Sequence, residues 1–452
     1  MTHPRLAQAR RSALWSVDHT PGETSPLSGR QSADVVIVGA GFSGLWTAYW
    51  LTEFIPGRMI RIIEAERIGH GASARNGGWL SALLPVFLTD LAATFGEERT
   101  VSLQRVMFES VSEVEEICRL HGIDAHIAHQ GSISLIRNRA QEARARADID
   151  DYQRFGFASH IEMWDRSRTK TKVKGDHLST YRPDCAVLHP RRLVEGLAEL
   201  IGDRGVIFHE ESRVRSIEVG RIETTHGCVK APIVVDCREA YGARSSGRIV
   251  IPIHSSMIAT EPLSPAVWDE IGLPQREALS DYRRQIIYAQ RTHDDRLAFG
   301  GRGVGYAFGS RIRNRSDYDD RVHSKLLASM VELFPVLSEA GITHRWGGPL
   351  AVPRDWTWSV TFDRGSGFGR LGGYVGDGVT STFVAGRAMS RLIAHGTDDL
   401  PLIGHRSRRW EPEPLRWIGV NTMNRLAESV DKQEARGRVG GLMSRLVDVL
   451  IG

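Results

Sequence analysis

The 452-residue chain has only four cysteines, Cys118, Cys185, Cys228 and Cys237, dispersed without a CxxC pair. That spacing points to neither a zinc site nor a disulfide framework, and a reducing cytoplasm suits it. An excess of one charge is lacking too. The 58 basic and 54 acidic side chains leave a formal net charge of +4, without the clustered Lys and Arg that nucleic acid requires. No internal repeat or low-complexity segment is evident. Arg10-Arg11 is not followed by an apolar stretch of signal-peptide length, so no secretory or twin-arginine signal is read, and residues 1–32 are expected to form a surface arm. Residues 35–52 carry no charge and are nearly long enough to cross a bilayer. Three glycines within six residues break any spanning helix there, so no membrane span is expected.

What the chain does have begins in that same stretch. An apolar strand (Val35, Val36, Ile37, Val38) leads into Gly39-Ala-Gly41-Phe42-Ser43-Gly44, an apolar helix, a second apolar strand and Glu64. The first glycine permits the tight turn, the second lets backbone approach a pyrophosphate, and the third lets the helix pack closely on the sheet. The helix N-terminus favours an anion, and Glu64 is placed to accept hydrogen bonds from a ribose. Strand, turn, helix, strand and acid stand in the order a dinucleotide site needs.

Downstream, Gly69-His-Gly-Ala72-Ser73-Ala-Arg75-Asn76-Gly77-Gly78-Trp79 is rich in small residues that let backbone lie against a large flat ligand, which suits a flavin better than a nicotinamide. Here the chain resembles the D-amino-acid oxidase (DAO) superfamily of FAD-dependent oxidoreductases, and within it the gamma-glutamylputrescine oxidase-like branch. The resemblance continues through His189-Pro-Arg-Arg-Leu-Val-Glu-Gly-Leu-Ala198, Ile251-Pro-Ile253, Arg296-Leu-Ala-Phe-Gly-Gly-Arg302, Trp346-Gly-Gly348 and Gly372-Gly373-Tyr374-Val-Gly376-Asp377-Gly378-Val379.

It implies a mixed α/β (α+β) fold: a Rossmann-type FAD-binding domain with a central parallel sheet, and a substrate domain built on an antiparallel sheet. The expected FAD-binding segments are 33–85, 180–250 and 350–404; the substrate segments are 86–179 and 251–349. Residues 405–452 form a basic, amphipathic helical tail that is expected to pack back on the protein. Helical periodicity over 101–121 and an exposed-helix composition over 139–150 read as cover. Strands are expected at 251–260, 284–290 and 296–302.

The residues implied to hold FAD are Gly39, Gly41, Phe42, Ser43 and Gly44; Glu64 and Ala65; Ala72, Ser73, Arg75, Asn76, Gly77 and Gly78; and Gly373, Gly376, Asp377, Gly378 and Val379. Gly-rich entry into a helix from Val379 to Ala394 would aim a positive helix end at the reduced flavin. Asp377 is expected to cap that helix or face solvent. Attachment is expected to be non-covalent, because Ala74-Arg75-Asn76 and Gly376-Asp377-Gly378 stand where covalent relatives carry a His or a Cys. No metal is expected.

The implied chemistry is hydride transfer from an amine-bearing carbon to flavin N5, leaving an imine that water hydrolyses to an aldehyde or keto acid. Proximity and a dry pocket carry such a reaction without an obligatory base. Arg75, Trp79, Tyr288, Arg302 and Trp346 are the candidates for contact with a small amine, whose anionic tail, if present, would suit the forks of Arg75 and Arg302. His70 and His254 are assigned no catalytic role. The electron acceptor is O2 or another oxidant; Ala298 and Phe299 stand where some O2-using relatives place a Lys. A second departure, Asp236-Cys237-Arg238-Glu239-Ala240-Tyr241, is read as an ion pair between Arg238 and an acid. The alternatives are an NADPH-using FAD monooxygenase, for which no second dinucleotide fingerprint is visible, and a flavin-binding partner protein without turnover.

Overall fold

A computed structural model describes residues 3–16, 24–165, 167–169, 171, 178–302 and 305–438. Val35–Val38, buried at all four positions, lies inside a six-stranded sheet ordered Ser359–Asp363, Phe368–Gly372, Ile233–Asp236, Val35–Val38, Ile60–Ile63, Ile207–His209. Every neighbouring pair is parallel except the first. Both faces are covered, which is why the strand reads as an unbroken apolar run. Val35 and Ile37 enter the main core with Leu45, Leu193 and Phe383 from three helices, Phe42–Phe54, Pro190–Asp203 and Gly378–Ala394. Val36 and Val38 pack instead on Ile222 and Val229 of a four-stranded sheet. The first and last of those helices lie close together: a Cβ on Gly386 would sit 2.9 Å from Thr47 N, and the Ser390 hydroxyl donates to the Thr47 carbonyl at 2.9 Å.

The second large sheet has eight strands, ordered Ile342–Pro353, Val250–Thr260, Leu297–Arg302, Ile287–Arg291, Ala278–Asp281, Ser132–Ile136, Leu178–Arg182, Glu162–Trp164. It is antiparallel, as expected, apart from Ala278–Asp281 with Ser132–Ile136, which pair in parallel. A separate core of Ile258, Leu279, Phe299, Leu326 and Met330 packs on it. The strands read at 251–260 and 296–302 are present, and the one read at 284–290 starts later, at Ile287.

Three outer segments differ from expectation or extend it. The described part of the arm lies on the surface as expected but is anchored there: Leu6, Trp15 and Leu27 are almost wholly buried, and Gly29–Ser32 pairs in parallel with Gly227–Lys230. The run at 139–150 forms the helix Arg139–Arg154, but Ala140, Gln141, Ala145, Asp151 and Tyr152 are buried along one side. The tail helix Leu415–Glu434 packs back as expected. Asp431 accepts the backbone N–H of Arg284 and Gln285 at 2.9 Å each, and buried Glu434 pairs with Arg144 at 2.7 Å. The apolar end of the tail, from Leu442 to Ile451, lies outside the described residues. No helix among the described residues is long and apolar enough to cross a membrane.

Candidate active site

The first turn is built as its glycines require. Gly39 has φ 110°, and a Cβ on Gly44 would lie 2.0 Å from the Gly39 carbonyl oxygen, so a side chain there is incompatible with the turn. Glu64, next to Ala65, accepts the Ala40 N–H at 2.8 Å through Oε2 and the Glu66 N–H at 3.0 Å through Oε1. Burial pushes its carboxyl up, and the backbone donors pull it back. Ser73 Oγ accepts the Phe42 N–H at 2.8 Å and would stand 2.8 Å from a Cβ on Gly41. The 69–79 segment is thereby clamped onto the helix start. Ser43 Oγ donates to Tyr374 OH at 3.1 Å, which ties the same turn to the closing segment.

Arg75 and Asn76 are held from several sides. The Arg75 guanidinium donates to Asp317 Oδ2 at 3.1 Å, Gly347 O at 3.2 Å, Gly71 O at 3.2 Å and Tyr241 OH at 2.7 Å. Its carbonyl accepts the Trp346 indole N–H at 2.9 Å, and the Asn76 carbonyl accepts the Trp15 N–H at 2.8 Å. The Asn76 side chain donates to Ser73 O at 2.7 Å and accepts the Gly78 N–H at 2.7 Å. Gln290 Nε2 donates to Gly77 O at 2.6 Å. His254, nearly fully buried, lies 3.4 Å from Asp317 Oδ1; burial and then the Arg75 charge push its pKa down to about 4, so it is neutral at pH 7. His70 is exposed.

The charged departure after the strand Ile233–Asp236 proves to be structural. Buried Asp236 takes two bonds from Arg238, at 2.8 and 2.9 Å, and two from Arg370, at 3.2 and 3.0 Å. Burial raises its pKa, the two arginines outweigh that, and the net shift is downward. Glu239 reaches into the closing segment and accepts backbone N–H groups from Ala351 at 2.8 Å and from Gly373 and Tyr374 at 3.2 Å each. Asp377 occupies the N-cap position of Gly378–Ala394 without a side-chain cap, and the half-buried residue is on the lining of the cavity described next.

These segments enclose a cavity of about 1010 Å³. Of the residues singled out in the sequence, Ala72, Arg75, Asn76, Gly77, Trp79, Tyr288, Gly376, Asp377 and Val379 line it. Trp346 does not: it is 1% exposed and its N–H is spent on Arg75 O, so it positions the wall from behind. Arg302 ends a strand, and its side chain lies outside the described residues. Gly39, Gly41, Phe42, Ser43, Gly44, Glu64, Ala65, Ser73, Gly78, Gly373 and Gly378 do not line it. Tyr288 OH lies 2.8 Å from Ser255 Oγ, and Met257, Gly347, Gly348 and Leu350 complete that end.

Sequence reasoning missed the far end. There Arg182 pairs with Asp148, lies 4.5 Å from the Tyr152 ring centroid, and has its Nη1 buried without a partner. Tyr282 OH donates to the same Asp148 at 2.9 Å. These residues come from a helix, a strand and a loop that are far apart in sequence, and no local motif announces them.

A flavin fits this lining. Glycines make the wall near Arg75 and Val379, and Trp79 on the lining has its indole N–H buried without a partner; the Thr380 and Ser381 hydroxyls, likewise unpartnered, lie behind Val379 and do not line the cavity. An unspent donor beside a glycine wall suits a flat ring with acceptor edges. None of the four buried cysteines lines the cavity, in keeping with non-covalent binding. Among the described residues no group of side chains is arranged to hold a metal ion.

Residues 34–392 match the family model described as DAO, FAD dependent oxidoreductase. Gamma-glutamylputrescine oxidoreductase of Escherichia coli (strain K12) is 29% identical over 378 residues, covering 80% of this chain and 84% of that protein. Among solved structures, L-proline dehydrogenase from P. horikoshii superposes with a TM-score of 0.68 at 17% identity, covering 83% of this chain and 96% of that one. Glycine oxidase from Bacillus cereus ATCC 14579 gives 0.66 at 17% identity, with 84% and 100% covered. The chain belongs to the DAO family of FAD-dependent oxidoreductases, with FAD as its non-covalently held cofactor.

Proposed function

We propose that this enzyme oxidises a carbon–nitrogen bond of a small amine or amino acid, and that hydrolysis of the resulting imine gives an aldehyde or keto acid. The observation that carries the reading is the single cavity joining the glycine-rich segments around residues 72–79 and 375–379 to side chains of the eight-stranded sheet. Bound FAD supplies the hydride acceptor. Residues 39–44 and 64–65, 72–78 and 373–379 are assigned to hold it, within FAD-binding segments 33–85, 180–250 and 350–404.

The chain's own contribution is to bind, orient and keep out water. Met257, Leu350 and the glycine pair 347–348 disfavour a charged ammonium by desolvation, so the reactive neutral amine is the better fit. The Tyr288–Ser255 hydroxyl pair is the polar group next to that apolar end, and we assign it to hold the substrate nitrogen. Arg75 already donates four of its five N–H groups, to Asp317, Gly347, Gly71 and Tyr241, so it is not assigned as the anion reader. We assign an anionic tail to Arg182 instead, because its Nη1 is unpartnered while Asp148 fixes the other arm of the fork.

The test is an anaerobic mix of holoenzyme with amines and amino acids, following flavin absorbance. Bleaching by one class supports amine oxidation, and a preference for substrates with an anionic tail supports the Arg182 assignment. Recovery of colour on admitting air separates O2 from another acceptor. Bleaching by NADPH alone, or by no amine at all, refutes the proposal.

A further inference from the structure

Behind the 69–79 segment lies a second, smaller cavity of about 200 Å³, which the oxidation chemistry does not use. Its lining carries the N–H donors His126, His189, His293, Arg192 and Arg276 and one acid, Asp294. The His126 and His293 rings stack at 4.1 Å, and His189 stands edge-on to His126 at 5.9 Å. Burial and neighbouring positive charge lower the pKa of His126 and His189, so both are neutral at pH 7 and the charge comes from the arginines. The acids at the cavity are each paired. Asp294 accepts from Thr292 Oγ1 and Arg296 Nε at 2.6 Å each, and Asp124 pairs with Arg192 at 3.1 Å and with His126, both of the lining. Arg276 has no ion-pair partner among the described residues: its Nε donates to the Arg291 carbonyl at 3.1 Å, and Asp295 acts on it through its charge at longer range.

Two further features mark the cavity as built. Arg276 and His126 both adopt left-handed backbone, φ 67° and 51°, a cost that ordinary surface turns usually avoid with glycine. Gln290, 1% exposed, lines the cavity with its Oε1 buried and unpartnered. A ligand that satisfied both the arginine and this acceptor would be an anion that also carries a hydrogen-bond donor.

The cavity is also wired to the flavin segment. The Trp15 indole on its lining donates to Asn76 O, and Gln290 Nε2 donates to Gly77 O. A ligand pulling on Gln290 or packing on Trp15 would therefore shift the backbone that forms the wall of the main cavity.

We propose that this cavity is a regulatory site for a small oxyanion bearing a protonated oxygen, of which hydrogen phosphate is the simplest example, and that its occupancy alters the flavin environment through Trp15 and Gln290. Inorganic phosphate is the probe, titrated calorimetrically into FAD-loaded enzyme while the visible spectrum is recorded. Saturable binding with a Kd of about 1 mM or tighter is expected, together with a shift in the flavin bands. Sulfate has a similar size and charge but no O–H at pH 7, and it should bind about tenfold more weakly. Arg276→Gln should weaken phosphate about tenfold and abolish the spectral shift, and Arg276→Lys should restore part of both. No saturable binding overturns the proposal, as does binding that Arg276→Gln leaves unchanged. Equal affinity for sulfate overturns the donor requirement, and binding without a flavin shift overturns the coupling. Because the readout is phosphate binding to holoenzyme, the result stands apart from whether an amine is ever oxidised.

Discussion

Trp15 offers the sharpest test of how the flavin wall is held, because its residue number places it in a segment that reads as a dispensable arm. The side chain is 2% exposed, packs edge-on against His189 at 5.1 Å and Trp346 at 6.3 Å, and donates to Asn76 O at 2.8 Å. Trp15→Ala removes a large buried ring, a change that costs about 3–5 kcal/mol. At roughly 2.1 cal/mol/K per residue, the unfolding entropy of a chain this long is about 950 cal/mol/K, so the melting temperature should fall by about 3–5 °C. Trp15→Phe keeps most of the packing and deletes only the donor, leaving Asn76 O unsatisfied at about 1–3 kcal/mol. That variant should lose little melting temperature as apoprotein but should bind FAD about tenfold more weakly, because Asn76 faces the flavin cavity. Circular dichroism melts of apoprotein and FAD titration by fluorescence quenching read the two effects separately. If Trp15→Ala melts with wild-type apoprotein, the arm is not docked and the positioning argument fails.

Gly44→Ala should yield protein without FAD colour, since a Cβ would stand 2.0 Å from the Gly39 oxygen; a yellow Gly44→Ala protein would contradict the turn as described. Glu239→Gln keeps the side-chain size but turns a triple acceptor for Ala351, Gly373 and Tyr374 into a half-donor, and a loss of about 3 kcal/mol in FAD binding, roughly a hundredfold in Kd, is expected. Asp236→Asn strands Arg238 and Arg370 and should cost about 3–5 kcal/mol in urea unfolding. The folded pKa of Asp236 lies below its unfolded value of about 3.9, so its stabilisation is complete above that pH and is lost as pH falls through the folded value. The gap between wild type and Asp236→Asn should accordingly narrow only in strong acid. Arg182→Gln should raise KM about tenfold for amines with an anionic tail and leave neutral amines unchanged, and an equal effect on both would remove the tail from the argument.

The parts of the fold that could be read from sequence are those in which local pattern and tertiary role coincide. Val35–Val38 with its glycine turn is legible because both faces of a buried parallel strand demand apolar residues, and because Gly39 and Gly44 have no substitutes at their positions. The helix Gly378–Ala394 was legible for the same reason. The anchoring of the arm was not, because Leu6 and Trp15 are single apolar residues whose partners, such as Trp346, lie more than three hundred residues away in sequence. The exposed reading of Arg139–Arg154 failed in a related way: its charged residues are not solvated decoration, since Arg144 pairs with Glu434 and Asp148 with Arg182 inside the protein.

The site divides along the same line, and the division says what kind of specificity this enzyme has. Its cofactor end is written in glycines and small residues within short segments, because backbone must approach a flat ligand and only local sequence controls that. Its far end is assembled from charges on distant elements, each compensated by a partner from elsewhere. Arg75 illustrates the difference: its spacing marks it as near the flavin, yet only the fold reveals that Asp317 and Gly347 claim its guanidinium. An arginine so engaged ties the substrate sheet to the flavin segment, and in the proposed function the selection of substrate is assigned to Arg182, whose neighbours Asp148, Tyr152 and Tyr282 leave one arm of its fork unclaimed. Substrate preference is therefore expected to change through substitutions at 148, 152, 182 and 282 while FAD binding stays intact, and through substitutions at 75 or 317 only together with loss of the flavin.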